Sequence, residues 1–175
     1  MENQIDWKKE CEKIAGELAD DVVSKFVNNE EIDLNLTRSI KPGDVYGLLA
    51  RTPLNDEWNT VIIKYSVIPR SEIVPDKARL YKCALESALD TANHPDVIAI
   101  TDFAEHRRRI SENAEWKVGT ELQNIFSEIA VANPDKYPIK ETYGHAVPSY
   151  EERIRRYQEW EKRQNSKLAI DKVIE

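Results

Sequence analysis

The stretch Asp96–Arg109, DVIAITDFAEHRRR, decides the predicted fold. Its apolar run, Val97–Ile100, is short, continuous and bounded by polar residues, which favours a buried strand covered on both faces. Asp102 follows, three residues before Glu105, and this spacing is typical of a helix N-cap with its capping-box partner. The stretch therefore predicts an interior strand at Val97–Thr101 that leads directly into a helix.

Composition indicates a soluble globular chain with one core. Hydrophobic residues make up 41% and charged residues 33% of the 175 residues, as expected of a single folded domain. No apolar run approaches the roughly 20 residues of a membrane span, and the N-terminus has no apolar signal core, so we expect a cytoplasmic protein without a membrane partner. Cys11 and Cys83 are expected to be reduced thiols in the core.

Hydrophobic periodicity predicts four helices. The first has an apolar stripe at spacings of three and four residues, with most of its charged residues off that stripe. A residue before proline avoids helical angles, which places the end of the second helix. The predicted bounds are 4–28, Asp76–Asn93, Asp102 to about Val131, and Tyr150 to about Lys167.

Alternating and β-branched segments predict three strands at Ile32–Ile40, Asp44–Arg51 and Trp58–Ile68. The short loops between them favour an antiparallel meander. Because Val97–Thr101 is reached through a crossover helix, the order predicts a mixed sheet with helices on both faces. A further short strand is expected near Ile139–Tyr143, within an otherwise irregular stretch.

The predicted fold class is therefore α/β, or α+β. It consists of a three-strand meander plus a further strand in a mixed sheet, with an additional C-terminal helix. Residues 1–148 are expected to form a single core domain, and residues 149–175 a helix packed on that core. The tail of this helix either continues it or frays.

The predicted order resembles the core of the restriction-endonuclease-like nucleases, the PD-(D/E)xK family, from about Trp7 to Asp102. In that family an Asp opens the second strand, and an acid and a Lys separated by one residue lie on the third. Here Pro42-Gly43-Asp44 opens the second predicted strand and Lys64 lies within the third. Adjacent antiparallel strands are expected to bring the Asp44 and Lys64 side chains close together.

The resemblance implies a DNA-acting protein, either a Mg²⁺-dependent nuclease or a degenerate DNA-binding relative. Asp44 is then a Mg²⁺ ligand, and Lys64 polarises the attacking water or stabilises phosphate charge. The sequence departs from the motif at Ile62, where the second acid is absent. Glu86 or Glu17, on neighbouring helices, would have to replace that acid.

Residues 84–102, ALESALDTANHPDVIAITD, also resemble the helix-to-strand segment of the ribonuclease H-like fold, which ends in a catalytic Asp. Asp102 matches that position. The other acids of the family's site have only Asp33 and Asp76 as counterparts.

Two groups of arginines are candidate contacts to phosphate or to an acidic partner. Arg107, Arg108 and Arg109 open one helix, where they oppose its macrodipole. Arg155 and Arg156 lie on the C-terminal helix, whose Tyr150, Tyr157 and Trp160 favour contact with nucleic acid or docking on a protein. The alternative for both groups is a solvated helix surface, with the aromatic rings of the C-terminal helix packed inward.

Charge favours a second class of function, a small acidic non-enzymatic protein that binds or inhibits another protein. The net charge is −7, and nonspecific nucleic-acid coating needs a dominant positive field. Residues 1–33 hold ten acids against four lysines. DNA, a protein partner and a second copy of the chain are therefore all open as partners.

Overall fold

The computed structural model describes residues 4–35, 39–54, 59–145 and 150–174. Within these residues it contains five helices, α1 (Trp7–Val27), α2 (Lys77–Ala92), α3 (Pro95–Ile98), α4 (Phe103–Ala132) and α5 (Tyr150–Ile174). It also contains three strands, β1 (Asp44–Pro53), β2 (Thr60–Pro69) and β3 (Ile139–His145). The strands form an antiparallel sheet in the order β1-β2-β3, so the mixed α/β class is confirmed.

Aspartates cap the N-termini of three helices, because a side-chain oxygen accepts a hydrogen bond from a backbone N–H of the first turn. Asp6 caps α1, Asp76 caps α2 and Asp102 caps α4, at donor-to-acceptor distances of 3.2, 3.2 and 3.3 Å. The cap predicted at Asp102 is confirmed.

The core is built mainly from α1, α2 and α4, and α2 contacts both of the others. The buried face of α2 consists of Leu80, Ala84, Ala88 and Thr91. Small side chains at these positions let neighbouring helices approach closely. The apolar stripes that predicted these three helices are therefore the surfaces through which the helices pack on one another.

A glycine on β1 sets the contact between the sheet and α4. A Cβ atom on Gly47 would lie 2.5 Å from the carbonyl oxygen of Phe126 and 2.6 Å from the Cβ of Ala130. No side chain fits at those distances, so β1 lies directly against the α4 backbone because residue 47 is glycine. The helices expected on both faces of the sheet stay a prediction.

A short helix, α3, occupies the segment where the interior strand Val97–Thr101 was predicted, so that prediction is wrong. Pro95 occupies the first turn of α3, where proline is well tolerated, and His94 Nδ1 accepts a backbone N–H at 3.3 Å. Val97 is buried, but Ile98 is 60% exposed. The apolar run therefore faces the core at one residue and is not covered on both sides.

The prediction of a first strand at Ile32–Ile40 is also wrong for the residues that are described. The two ends of this segment are joined by a single antiparallel bridge between Ile32 and Ile40. Ile32 and Ile40 exchange backbone hydrogen bonds of 2.9 and 2.8 Å. Asn35 adopts a φ of 56°, which turns the chain back. The alternating pattern arises because this loop buries Ile32, Leu34 and Ile40 in the core.

The third strand of the sheet comes from the C-terminal part of the chain. The short strand expected near Ile139–Tyr143 is present and extends to His145. Because β3 follows α4, the sheet joins a hairpin near the N-terminus to a strand about seventy residues later. The consecutive three-strand meander is replaced by this arrangement.

The chain divides into two compact units. The helical unit comprises Met1–Leu49 and Lys64–Lys140, and the hairpin–helix unit comprises Ala50–Ile63 and Glu141–Glu175. The helical unit has 17 basic and 23 acidic residues, a formal charge of −6, and the hairpin–helix unit has 8 and 9, a charge of −1. The packing of the C-terminal helix on the core stays a prediction.

None of the helices in the described part of the chain is both long enough and apolar enough to cross a membrane.

Candidate functional site

The β1–β2 hairpin does not bring Asp44 and Lys64 together. The backbone N–H of Arg70 donates to the carbonyl oxygen of Gly43 at 2.9 Å, so Asp44 lies opposite the end of β2. Lys64 lies about five residues earlier on β2, which is roughly 16 Å along a strand that rises ~3.3 Å per residue. That separation exceeds the span of one hydrated Mg²⁺ site.

The two side chains also lie on opposite faces of the hairpin. Tyr46 and Tyr65 contact each other across the strands, with ring centroids 5.7 Å apart. Asp44 is two residues from Tyr46 and shares its face, whereas Lys64 is adjacent to Tyr65 and takes the opposite face. The hairpin therefore offers no site at which both groups act on one phosphate.

The candidate replacement acids lie elsewhere in the helical unit. Glu86, on α2, is exposed and lines a polar groove between α2 and α4 of about 490 Å³. Glu17, on α1, lies 3.5 Å from the Arg107 guanidinium in a separate groove. Among the described ranges there is no group of three His, Cys, Asp or Glu side chains that could hold a metal ion.

The first arginine group is mostly engaged within the protein. Arg107 lies 3.4 Å from Glu10 and 3.5 Å from Glu17, both on α1, and so ties α4 to α1. Arg108 pairs at 2.5 Å with Glu105 and with Glu112 on its own helix. The hydrogen bond from Arg108, followed by the charges of Arg108 and Arg109, holds the pKa of the Glu105 carboxyl below its usual value.

The residue that precedes these arginines, His106, is a core residue. Its ring stacks on Trp7 with centroids 3.7 Å apart and an interplanar angle of 14°. Trp7 also stacks on Phe103 at 5.5 Å. His106 is 6% exposed, and its Nε2 has no hydrogen-bond partner among the described residues. The first turn of α4 therefore packs on α1 through these aromatic rings.

The second arginine group lies on α5. Arg155 donates to Glu159 at 2.7 Å, an i to i+4 pair. Arg156 donates to the side-chain oxygen of Asn59, with the Asn59 amide oriented so that its oxygen faces the guanidinium. Asn59 lies at the start of β2 within the same unit. Arg156 therefore connects α5 to the hairpin.

A basic–aromatic face of α5 combines exposed large rings with positive charge. Tyr157 and Trp160 are 62% and 52% exposed. Their ring centroids are 5.9 Å apart, so they form a preformed pair at helical spacing. The face consists of Arg153, Ile154, Tyr157, Trp160 and Arg163, with Glu161 at its margin.

A cavity of about 550 Å³ lies between β1 and α4, beside Asp44. Buried Ile40, Val45 and Phe126 supply its apolar floor. Its polar lining consists of Ser39, Lys41, Asp44, Tyr46 and Gln123. Asp44, proposed from the sequence as a metal ligand, therefore borders a half-apolar cavity.

Sequence reasoning missed the main buried charge, Arg70, which is 2% exposed. Its guanidinium donates to four carbonyl oxygens, those of Lys25, Phe26, Glu30 and Lys41, at 2.8–3.4 Å. It also lies 4.6 Å from the centre of the Phe26 ring. Burial lowers the pKa of this guanidinium from its usual value.

Arg70 satisfies carbonyls at the C-terminal end of α1 and in the loop that follows it, because those groups have no further helical donor. The only sequence signal was a basic residue directly after a strand and a proline. That signal is too common to identify a buried cation.

Comparison of the chain with known protein families, curated proteins and solved structures finds no match.

Proposed function

We propose that this chain is a non-enzymatic protein-binding module that engages an acidic surface of another protein through the basic–aromatic face of α5. The observation that carries the proposal is the exposed pair of Tyr157 and Trp160, whose rings are in contact at an interplanar angle of 32°. Trp, Tyr and Arg are the residue types most enriched among interface hot spots. A rigid aromatic pair also loses little conformational entropy when a partner covers it.

Charge supports an acidic partner. Residues 151–167 hold six basic against four acidic residues, whereas the chain as a whole carries −7. Arg153 and Arg163 flank the ring pair on the exposed face of α5. A partner that presents carboxylates around an apolar groove would pair with these arginines and desolvate the rings.

A DNA-acting nuclease has less support. It requires Asp44, Lys64 and a third acid to converge, and the register of the hairpin separates the first two. The excess of acidic residues also opposes attraction to the phosphate backbone. Arg107 and Arg108, expected to contact phosphate, are paired with glutamates.

The test is affinity capture with three forms of the immobilised full chain: wild type, Tyr157→Ala/Trp160→Ala, and Trp116→Ala. Trp116, on α4, is 51% exposed and therefore matches Trp160 in size and accessibility. Because each hot-spot ring contributes ~1 to 2 kcal/mol, we expect the double variant to retain the partner at least tenfold less well. The Trp116→Ala form should retain it fully.

Two outcomes overturn the proposal. The first is retention of the same proteins by all three forms. The second is Mg²⁺-dependent plasmid cleavage that disappears in Asp44→Ala. Light scattering on the purified chain tests whether a second copy of the chain binds the α5 face instead. A dimer that dissociates in the double variant would identify this second copy, and not an acidic partner, as the molecule that binds there.

A further inference from the structure

We infer that the cavity between β1 and α4 is a binding site for a small amphipathic amine, a molecule that joins an apolar body to one ammonium group. This inference is independent of the α5 face. The cavity volume of about 550 Å³ falls within the range of ~300–1,000 Å³ that small-molecule sites occupy. Its floor of Ile40, Val45 and Phe126 suits an apolar body.

The charges around the cavity select a cation. Lys41 Nζ lies 2.6 Å from a carboxylate oxygen of Glu31, and Ser39 donates to the same oxygen at 2.5 Å. These hydrogen bonds, that of Lys41 first, lower the pKa of the Glu31 carboxyl. The positive charge at the rim is therefore already paired within the protein.

Asp44 is left as the charge that the cavity offers to a ligand. Its carboxylate is exposed and forms no ion pair with any residue in the described ranges. With Lys41 and Glu31 cancelling, the local charge is −1. An ammonium group is the simplest ligand group that both complements this charge and donates hydrogen bonds to carboxylate oxygens.

Tyr46 adds a second feature that favours a cation. Its side chain is 62% exposed and lines the cavity. Tyr65 stands edge-on to it, at an interplanar angle of 74°, and so supports the ring from the neighbouring strand. The free face of a tyrosine ring attracts cations. Asp44 and Tyr46 are two residues apart, so both lie on the face of β1 opposite to Val45. Because β1 is at the edge of the sheet, the cavity contacts residues of both faces along that edge.

In the experiment, the full chain is titrated separately with 3-phenylpropylamine, 3-phenylpropanol and 3-phenylpropionate. Binding is monitored through the NMR signals of the backbone amides. These probes share one apolar body and differ in charge. We expect the amine to bind with a Kd of about 1 mM, near the efficiency of small ligands, and to shift the amides of residues 39–41, 43–46 and 123–126. The alcohol should bind at least threefold more weakly, and the carboxylate should not shift these amides.

Three variants complete the test. Asp44→Asn should raise the Kd for the amine roughly 3- to 10-fold, as expected for a partly exposed charge pair, whereas Asp44→Glu should restore most of the affinity. Asp135→Asn, at an exposed acid outside the cavity, should change nothing. Equal binding of all three probes, an unchanged Kd in Asp44→Asn, or shifts that avoid the cavity amides would overturn the inference.

Discussion

Two sets of aromatic rings in contact show how differently the two units use the same residue types. In the helical unit, Trp7 stacks on His106, which is 6% exposed, and fastens α1 to α4. In the hairpin–helix unit, the rings of Tyr157 and Trp160 contact each other at an interplanar angle of 32°, and more than half of each residue is exposed to solvent. The first set holds two helices together, and the second joins residues of one helix.

The arginines repeat this contrast. Arg70 is buried in the helical unit and donates to four carbonyl oxygens, whereas Arg153 and Arg163 lie exposed on α5. Exposed rings and cations contribute little to folding, and they are the residues that a partner uses. We therefore expect substitutions in the helical unit to change stability, and substitutions on the α5 face to change binding alone.

The largest effect is expected for Arg70→Met. The substitution leaves buried carbonyl oxygens without donors, at a cost of about 3 to 5 kcal/mol in the free energy of unfolding. Urea unfolding followed by circular dichroism measures this loss. Arg109→Met is the matched control at an exposed position, and we expect it to change the free energy of unfolding by less than about 0.5 kcal/mol. Equal losses in the two variants would remove the structural role given to Arg70.

Glycine substitutions compare the two units directly. Gly47→Ala places a Cβ 2.5 Å from the Phe126 carbonyl oxygen, and we expect a loss of about 1 to 3 kcal/mol because backbone cannot move aside. Gly144→Ala meets the Cδ1 atom of Ile63 at 2.6 Å, the end of a flexible side chain, so its loss should be smaller.

Gly16→Ala serves as the control for the glycine series. Apart from its chain neighbours and the backbone of its own helix, no atom of the described residues lies within 4 Å of its added Cβ. Alanine also favours a helix interior over glycine by ~0.5 to 1 kcal/mol. We expect the three variants to rank Gly16→Ala, Gly144→Ala, Gly47→Ala from most to least stable in urea. A larger loss for Gly144→Ala than for Gly47→Ala would break the contrast between the units.

The smallest effect is expected for Glu115→Gln, in the α1–α4 groove. Burial, followed by the charges of Glu112, Asp33 and Asp21, raises the pKa of the Glu115 carboxyl above its ordinary value of 4.5. The folded state therefore binds the proton of the Glu115 carboxyl more tightly than the unfolded state does. The stability that this protonation contributes is lost as the pH rises above 4.5. Removing the charge should stabilise the chain at neutral pH.

The measurement for Glu115→Gln is urea unfolding across the acidic to neutral range. The variant should be more stable than wild type near neutral pH. This advantage should shrink as the pH falls towards 4.5 and be absent below it, where Glu115 is uncharged in both the folded and the unfolded state. A variant that is less stable than wild type at neutral pH would show that the Glu115 carboxylate is stabilising.

The helices α1, α2 and α4 were predictable from the sequence because each has an apolar stripe that is buried in one core. Asp102 was predictable as a cap because an acid before a helical pattern satisfies the free N–H groups of its first turn. Two strands failed for local reasons. Val97–Ile100 follows His94 and Pro95, which cap and start a helix, and Ile32–Ile40 alternates because a loop folds back on itself.

The candidate sites were harder to predict because they depend on register and on distant neighbours. The distance between Asp44 and Lys64 depends on the register of the hairpin, which the hydrogen bond between Arg70 and Gly43 defines. No local sequence pattern predicts this register. The burial of Arg70 depends on carbonyls up to 45 residues away in sequence. The aromatic residues of α5 were visible as a pattern, but their exposure was not, because a stripe of rings is equally typical of a buried face.

Site-specific photo-crosslinking tests the α5 face most directly. A photoreactive phenylalanine derivative is placed at Trp160 in one form of the chain and at Trp116 in another, since the two tryptophans are 52% and 51% exposed. Both forms are irradiated in extract of the source cells. The account predicts a discrete adduct with an acidic protein from position 160 and none from position 116. Matching adducts from both positions, or none from position 160, would contradict it.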